Sequence, residues 1–291
     1  MPDALDVVAV VPTFAPPEST SELLRTLSFQ VSRVVVSDDA SPCTSDPQLI
    51  AWSALPNVDV IRHDRNCGIA RGLNDGLRIA RDLGCNWLLT VDQDTMLPAG
   101  YVDAVSEHIR MRSKADEVIG AVGAEVVVDA SGEMRYPLRD SDFGPITEEV
   151  IQTGTLWNVS VLTKVGGFDE ELRIDAVDAA ACLALRQHGF VVSVAPDTWV
   201  EHSLGSARTV KLAGRSIMVT GHSPQRRTSM LRNRLRLFPA EFAQSPRHAV
   251  RTLRRVLVNQ TLGLILEEDR WRKAQGSVRG ITRPSKDNLR P

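Results

Sequence analysis

The sequence predicts an α/β protein in which helices flank a mostly parallel central sheet. Three observations support this. Strand and helix patterns alternate through roughly the first third of the chain, and the strand patterns are near-continuous apolar runs such as "VVAVV" at 7–11. Such runs are typical of strands that are buried on both faces of a parallel sheet. Each strand also ends in polar residues, and these sheets bind ligands at that edge.

The individual patterns give the order of the elements. Strands are predicted where β-branched apolar runs end at polar turns: 6–14, 31–41, 57–64 and 86–94. Helices are predicted where apolar residues recur at helical spacing: 19–30, 66–84 and 97–113. Further along, the patterns predict two strands, or a strand and a turn, in 118–135 and irregular chain over 137–155. They then predict a short helix in 153–172, a longer helix at 175–190 and a last strand at 191–205.

The bulk composition is that of a soluble globular protein. The chain has 291 residues, of which 43% are hydrophobic and 24% charged, and no run approaches the roughly 20 apolar residues of a membrane span. The N-terminus lacks a basic region and carries Asp3 and Asp6, so we interpret it as a first strand and not as a signal peptide. Four cysteines without CxxC spacing predict reduced thiols and a cytoplasmic location: Cys43, Cys67, Cys85 and Cys182.

The charge is distributed unevenly along the chain. Residues 208–291 hold 19 Lys/Arg and 5 Asp/Glu, whereas residues 1–207 hold 15 Lys/Arg and 31 Asp/Glu. This boundary predicts an acidic main domain at 1–207 and a basic, mainly helical extension at 208–291. A basic extension beside an acidic body indicates an anionic partner, or contact with the acidic body of the same chain or of a partner chain.

Two helical patterns, at 226–238 and 246–275, make up most of that extension. In the second, basic and apolar residues alternate with helical spacing, which predicts a helix on an anionic membrane surface or a homodimer surface. A plain solvated helix is the alternative. Nucleic acid is disfavoured as a partner because the extension has few aromatic residues to stack on bases, and its one tryptophan is Trp271.

The segment "LLTVDQDT" at 88–95 carries two acids, Asp92 and Asp94, directly after an apolar run. In a strand, residues i and i+2 point to the same face, so the two carboxylates would repel unless a cation lies between them. The spacing therefore predicts a divalent metal site. The alternative is a solvated strand end or a helix cap.

Six segments in order now carry a resemblance. They are "VVPTF", "VVVSDDAS", "NCGIARGLNDGL", "LLTVDQDT", "VGGFDEELRIDAVD", and "HSLG" followed by "LRNRL". From about residue 7 to residue 236 the chain resembles family 2 glycosyltransferases, which have the Rossmann-like GT-A fold, and within them bacterial rhamnosyltransferase-like enzymes. The "DQD" followed by Thr favours the rhamnosyltransferases.

The resemblance implies an inverting, metal-assisted transfer of a sugar from a nucleotide diphosphate donor. The donor expected is dTDP-rhamnose, and the acceptor is a glycan or a polyprenyl-diphosphate-linked glycan at the cytoplasmic membrane face. Mg²⁺ or Mn²⁺ would neutralise the diphosphate charge, with Asp92, Asp94 and His202 as ligands. In the family the last Asp of such a motif usually contacts the metal, and the first more often contacts ribose or metal-bound water.

The resemblance also implies a set of donor-binding residues. In the family the acids that end the second strand grip the base and ribose, and the Asn/Gly turn opens a helix whose N-terminus favours phosphate. A strand-end turn and a plain capped helix are the alternatives. The donor-binding residues expected are Pro12, Thr13, Asp38, Asp39, Asn66, Gly68, Arg71, Asn74, Asp92 and Arg232.

Asp178 is the general base that the resemblance implies, because an inverting transfer needs a carboxylate to take the proton of the acceptor hydroxyl. The family pattern is roughly "FIDxVDxExCLR", and this chain has "RIDAVDAAACLAL". Ala180 therefore replaces a Glu and Ala184 an Arg, which leaves open an altered acceptor geometry or impaired catalysis. The acceptor-binding residues expected are Trp157, Asn158 and Asp175; for Trp157 a core position, and for Asp175 and Asp178 a helix cap, are the alternatives.

Other functions are weighed against this one. The alanines at 180 and 184 favour a nucleotide-sugar-binding protein with impaired catalysis. A galactofuranosyl- or hexosyltransferase that uses a UDP-sugar is a second alternative. A nucleotidyltransferase commonly has a Gly-rich basic loop after the first strand. Here that loop is "PTFAPPES", which contains no Gly, Lys or Arg, so the sequence disfavours this function.

Overall fold

A computed structural model describes most of the chain. The described residues are 6–42, 46–112, 118–129, 132–141, 144–202, 208–212, 215–219 and 222–266. Several predictions fall outside them: the thiol of Cys43, the end of the strand at 203–205, and the helix end at 267–275 with Trp271.

The elements up to residue 202 alternate strand and helix as the sequence predicts, with additions. The strands are β1 (Val7–Thr13), β2 (Arg33–Asp38), β3 (Val58–Arg62), β4 (Trp87–Thr90), β5 (Thr95–Met96), β6 (Ile119–Asp129), β7 (Gly132–Arg135), β8 (Arg139–Ser141), β9 (Gly144–Ile146), β10 (Thr155–Asn158) and β11 (Val191–His202). The helices are α1 (Thr20–Ser28), α2 (Asp46–Ser53), α3 (Ile69–Asp82), α4 (Tyr101–Arg112), α5 (Val159–Lys164) and α6 (Val177–Gln187).

The central sheet is large and mixed. Its strand order is β3-β2-β1-β4-β10-β6-β11-β9-β8, with β1 parallel to β2 and β4, and β6 parallel to β11. The α/β class with parallel strands flanked by helices is confirmed. β10 is antiparallel to both of its neighbours, β4 and β6. Sequence patterns missed β8 and β9 because strands of three residues are too short to display a period.

Two apolar cores cover the two faces of the sheet. Along β1, Val7, Ala9 and Val11 pack into one core with α1 and α4, whereas Val8 and Val10 pack into the other with α3, α5 and α6. The alternation follows from the period of two in a strand. The near-continuous apolar run in β1 therefore reflects burial on both faces.

The chain groups into two compact units. The first comprises residues 1–129, 133–173 and 177–203, and the second comprises 130–132, 174–176 and 204–291. The second unit contains a hairpin of β12 (Arg208–Leu212) and β13 (Arg215–Val219), followed by α7 (Pro224–Gln244) and α8 (Pro246–Leu266). The hairpin is an addition to the predicted helices. None of the helices in the described part of the chain combines the length and apolar character that a membrane span needs.

A close approach between α3 and β1 gives the first test of the fold. A Cβ added at Gly76 would lie 2.4 Å from the Val10 Cβ, which no side chain tolerates without movement. We expect Gly76→Ala to lower the free energy of unfolding by about 1–3 kcal/mol, measured by urea denaturation. In Gly76→Ala/Val10→Gly the loss should be smaller than the sum of the two single losses, since removal of the Val10 Cβ makes room for the new methyl group. Additive losses would contradict this packing.

Candidate active site

Asp92 and Asp94 lie in a turn and not on a strand. β4 ends at Thr90, and the Thr95 N–H donates to the Asp92 carbonyl at 3.1 Å, which closes the turn before β5. The expectation that the two acids share one face of a strand was therefore wrong. The strand stops early because the pairing of β4 with β1 ends at Thr90. The turn brings the two carboxylates to the same neighbour instead.

That neighbour is His202, at the end of β11. β5 pairs antiparallel with β11, and this pairing sets His202 opposite Thr95. The His202 Nε2 is 3.7 Å from Asp92 Oδ2, and its Nδ1 is 3.4 Å from Asp94 Oδ1. One donor atom from each of the three residues lies within 4.8 Å of the others. The structure thus brings together all three residues predicted as metal ligands.

The three candidate ligands fit the predicted metal. The three residues are partly exposed, so a cation could reach them from solvent. Carboxylate oxygens are the ligands that Mg²⁺ and Mn²⁺ prefer, and imidazole is a common ligand of transition metals. Two clustered carboxylates also form a site of negative charge that a divalent cation would neutralise.

Two threonines support the cluster. The Thr95 hydroxyl lies 3.2 Å from His202 Nδ1 and 2.7 Å from the Thr153 hydroxyl, which accepts a bond from the Asp92 N–H at 3.0 Å. Both threonine side chains are buried. Sequence reasoning missed them, because each is an ordinary residue until the fold sets it beside the acids.

Gln152 joins the acidic cluster to Asp178. Its side-chain amide donates to Asp92 Oδ1, and its backbone N–H donates to Asp178 Oδ2 at 3.3 Å. The other Asp178 oxygen accepts from the Ala179 N–H at 2.8 Å. Asp178 lies inside the first turn of α6, one residue after its start, so it is not the residue that caps the helix. The predicted base and a predicted metal ligand therefore share one neighbour.

Gln93, the central residue of "DQD", fixes the loop after β1. Its amide accepts from the Phe14 N–H at 2.8 Å and donates to the Phe14 carbonyl at 3.1 Å. The Phe14 ring remains 46% exposed. The sequence analysis did not predict that this aromatic residue lies beside the acidic cluster. The Gln between the two acids is the sequence feature that could have indicated it.

Pro12, Thr13 and Asp38 differ from the prediction. All three are buried, and the Asp38 side chain is 0% exposed. Its oxygens accept from the Thr13 hydroxyl at 3.1 Å and the Ser41 N–H at 3.2 Å, and pair with Arg62 at 3.6 Å. A side chain with no exposed surface and several internal partners does not grip a ligand. We correct the expectation: Asp38 shapes the loop where β2 ends.

Asp39 is also engaged inside the protein. One carboxylate oxygen accepts from the Cys67 N–H at 2.6 Å and the other from the Gly68 N–H at 2.8 Å. The predicted grip on base and ribose is thus replaced by a grip on the backbone of the segment before α3. Asp39 holds the "NCG" turn against the end of β2.

The N-terminus of α3 is occupied by protein oxygens. Besides the bond from Gly68, the Ile69 N–H donates to the Arg173 carbonyl at 2.7 Å. Gly68 has φ +95°, and a Cβ there would lie 2.6 Å from that carbonyl, so glycine is required by the chain itself and not by a ligand. The Asn66 side chain accepts from Arg173 at 3.0 Å. The predicted phosphate contact at these amides is therefore not open in this structure.

Arg71 and Asn74 have different positions on α3. Asn74 bonds the backbone N–H and C=O of Phe168, each at 2.9 Å, which makes it a structural tie. Arg71 is half-exposed, with Asp75 at 3.9 Å and Glu170 at 3.6 Å. Of this pair, Arg71 keeps a charged group that solvent reaches.

Trp157 and Asn158 have contacts within the protein. Trp157 is 0% exposed, donates to the Thr90 hydroxyl at 2.8 Å, and packs edge-on against Phe168 at 5.3 Å. Its core position corrects the acceptor-binding expectation. The Asn158 side chain accepts from the Val161 N–H at 3.1 Å and so caps α5.

Two predicted residues belong to the second unit. Asp175 pairs with Arg226 at 3.3 Å, and its carbonyl accepts from Asn233 at 3.0 Å. Burial raises the pKa of Asp175, and the charge and hydrogen bond of Arg226 oppose that rise. Its second oxygen has no hydrogen-bond partner among the described residues. The Arg232 guanidinium donates to the Asn233 side chain at 3.3 Å; its predicted diphosphate contact stays a prediction.

Ala180 and Ala184 are both partly buried on α6, and Ala180 packs against the core beneath the sheet.

A further polar network was not predicted. His63 lies between two acids: its Nε2 is 2.7 Å from Asp75 Oδ2, and its Nδ1 is 3.2 Å from Asp39 Oδ1. The Ser37 hydroxyl also donates to Asp75 at 3.0 Å. Burial alone would lower the pKa of His63, but hydrogen bonds and charges from Asp75 and Asp39 outweigh it and raise the pKa above 6.5.

The comparisons with known proteins identify the fold and the class of enzyme. The mixed α/β sheet is the GT-A fold of solved glycosyltransferases. Residues 8–137 match the sequence model of Glycosyl transferase family 2. The chain is 28% identical, over 78% of each chain, to dTDP-rhamnosyl transferase RfbF of Shigella flexneri. The chain is a glycosyltransferase, with residues 8–137 similar to family 2 and the sequence as a whole similar to that of a rhamnosyltransferase.

Solved structures agree on the fold. The complex of S. aureus TarS 1–349 with UDP-GlcNAc superimposes with a TM-score of 0.60 at 16% identity, covering 95% of this chain and 79% of that one. GalNAc-T7 with UDP, GalNAc and Mn²⁺ superimposes with a TM-score of 0.57 at 18% identity, over 80% of this chain. The chain spans about half of GalNAc-T7, 48% of its length.

His63 gives a pH-dependent prediction. Because its pKa in the folded protein is raised, its bridge contributes stability that is fully present below the unfolded-state pKa of about 6.5 and is lost as pH rises through the folded-state pKa. We expect His63→Gln to lower the free energy of unfolding more at pH about 6 than at pH about 9, measured by urea unfolding at both values. His188→Gln, on the exposed end of α6, is the control. An equal loss at both pH values would contradict the bridge.

Proposed function

We propose that this protein is an inverting glycosyltransferase that moves rhamnose from dTDP-rhamnose to a hydroxyl of a glycan or lipid-linked glycan. The observation that carries the proposal is the cluster of Asp92, Asp94 and His202, joined through Gln152 to Asp178. The rhamnosyltransferase relative supports the donor sugar. The nucleotides bound by the structural neighbours support a nucleotide-sugar donor more broadly.

The acidic cluster would hold the cation. Asp92, Asp94 and His202 would bind Mn²⁺ or Mg²⁺, and a neighbour with the same fold contains Mn²⁺. When bound, the cation neutralises charge on the diphosphate as the glycosidic bond breaks. The Thr95 hydroxyl would hold the imidazole of His202 in position as the third ligand.

Asp178 would act as the base. The Gln152 and Ala179 N–H groups orient its carboxylate. Asp178 would take the hydroxyl proton while the acceptor oxygen attacks the anomeric carbon from the side opposite the diphosphate. That geometry inverts the configuration.

The nucleoside would lie beside the loop after β1. The exposed Phe14 ring, on a backbone that Gln93 fixes, offers a flat apolar surface for the pyrimidine base. Asp38 and Asp39 would act indirectly, by shaping the loops at this edge. The exposed guanidinium of Arg71 keeps its proposed contact with the donor phosphates.

Two other functions have specific support. Ala180 and Ala184 favour a protein that binds a nucleotide sugar and turns it over poorly. The structural neighbour bound to UDP-GlcNAc favours a UDP-sugar as donor. Both alternatives keep the acidic cluster as the donor site, so donor choice and turnover separate them.

The exposed face of α8 supports attachment to an anionic membrane. α8 contains no Asp or Glu. Its exposed apolar residues are interleaved, on the same side of the helix, with arginines: Arg247, Val250, Arg251, Arg254, Leu257 and Val258. Arginine stems lie along apolar surface while their charged ends reach phosphates, so this face complements a bilayer of anionic lipids. Such attachment would set the enzyme beside a lipid-linked acceptor.

Two variants separate donor binding from chemistry. We expect Asp94→Ala to abolish Mn²⁺-dependent binding of dTDP-rhamnose, measured by calorimetric titration, because it removes a cation ligand. Asp178→Asn should bind dTDP-rhamnose with unchanged affinity and lose at least ~100-fold in kcat, since a general base contributes roughly 10²–10⁴-fold. UDP-glucose and UDP-galactose, titrated in parallel, test the donor.

Three results would count against this assignment. Full activity of Asp94→Ala would contradict the assignment of the metal site, and full activity of Asp178→Asn would contradict the assignment of Asp178 as the base. Tight binding of a UDP-sugar with no binding of dTDP-rhamnose would replace the donor. Donor binding by the unaltered protein without turnover on any acceptor would favour the binding-protein alternative.

The membrane proposal is tested by charge reversal on α8. We expect Arg251→Glu/Arg254→Glu to reduce co-sedimentation with phosphatidylglycerol vesicles at least about tenfold, because each basic residue near such a surface adds about 1 kcal/mol. Arg78→Glu/Arg81→Glu, on the exposed side of α3, is the matched control and should bind vesicles like the unaltered protein. If the α8 variant instead loses self-association in sedimentation velocity and keeps vesicle binding, the face is a dimer surface and the proposal is wrong.

A further inference from the structure

Gln152 contacts both ends of the proposed reaction site, and its side chain has no role there so far. Its side chain is 7% exposed. It belongs to the segment between β9 and β10, where the chain enters the sheet beside β4. A residue in this position could hold the neighbouring carboxylates in a fixed orientation.

The backbone of Gln152 is held on both sides. Its N–H donates to Asp178 Oδ2 at 3.3 Å. Its carbonyl accepts from the Thr90 hydroxyl and from the Thr155 N–H, the latter at 3.1 Å. Thr90 ends β4 and Thr155 begins β10, so these bonds tie the residue to the sheet itself. The side chain therefore extends from a fixed point.

The amide of Gln152 then fixes the orientation of Asp92. Because a carboxylate only accepts hydrogen bonds, the NH₂ group of the amide must face Asp92 Oδ1. The other oxygen, Oδ2, is the one that lies 3.7 Å from His202 Nε2. One oxygen of Asp92 is thus used inside the protein, and the other is directed toward the cluster.

We propose that Gln152 is a positioning residue that holds Asp92 with Oδ2 facing the cation site. This inference rests on the proposed function, since it assumes that Asp92, Asp94 and His202 bind a divalent cation. Without the amide bond the carboxylate could rotate, and the cation would have to order it again at a cost in affinity. Residues that orient metal ligands in this way typically change metal affinity by about 10–100-fold when they are lost.

The test measures cation binding directly. Free Mn²⁺ is followed by electron paramagnetic resonance in a titration of the full chain with dTDP present. Gln152→Met keeps the length and volume of the side chain and removes the donor, and we expect it to raise the Kd for Mn²⁺ about tenfold. Gln30→Met makes the same change at a half-buried glutamine beside α4 and should leave the Kd unchanged.

A double variant decides whether the effect passes through Asp92. If it does, Asp92→Ala/Gln152→Met should bind Mn²⁺ with the same Kd as Asp92→Ala alone, because the partner of the amide is already gone. Circular dichroism and thermal unfolding check that each variant is folded. Unchanged affinity in Gln152→Met, or additive losses in the double variant, would overturn the positioning role while the metal site stands. Absence of Mn²⁺ binding by the unaltered protein would overturn the metal site and this inference together.

Discussion

Two carboxylates and one imidazole with ligand atoms within 4.8 Å of one another are the constraint on which the rest of this site depends. Like charges do not gather unless the chain holds them there. In this protein the turn after β4 supplies Asp92 and Asp94, and the pairing of β5 with β11 supplies His202. A two-residue strand therefore decides the geometry of the site, because it fixes the end of a much longer strand beside the acidic turn.

Much of the polar chemistry at this edge of the sheet is structural. Asp38 accepts bonds from Thr13 and Ser41, and Asp39 accepts bonds from the backbone of Cys67 and Gly68. Loops that must present a ligand site cannot be held by apolar packing alone, since their backbone groups need partners. Asp38 and Asp39, which the sequence suggests as ligand contacts, thus stabilise the loops around Asp92 and Asp94, which remain accessible.

Gln93 and Gln152 have parallel roles on either side of the acidic turn. Gln93 fixes the backbone of Phe14, and Gln152 fixes the carboxylate of Asp92. A neutral amide suits both positions, because it can donate and accept without adding charge to a cluster that already carries two negative groups. The site is built as acids oriented by amides, with threonine hydroxyls between them.

The sequence by itself determined the α/β class, the alternating strands and helices, and the acids and histidine of the cluster, because apolar period and local motif are properties of neighbouring residues. It failed where a role depends on distant contacts. Only the tertiary structure decided that Trp157 and Asp38 are buried, and that Gln152 and Thr153 contact Asp92 from 60 residues away along the chain. The antiparallel β10 and the hairpin of β12 and β13 belong to the same group, since short strands take their identity from their partners and carry little pattern of their own.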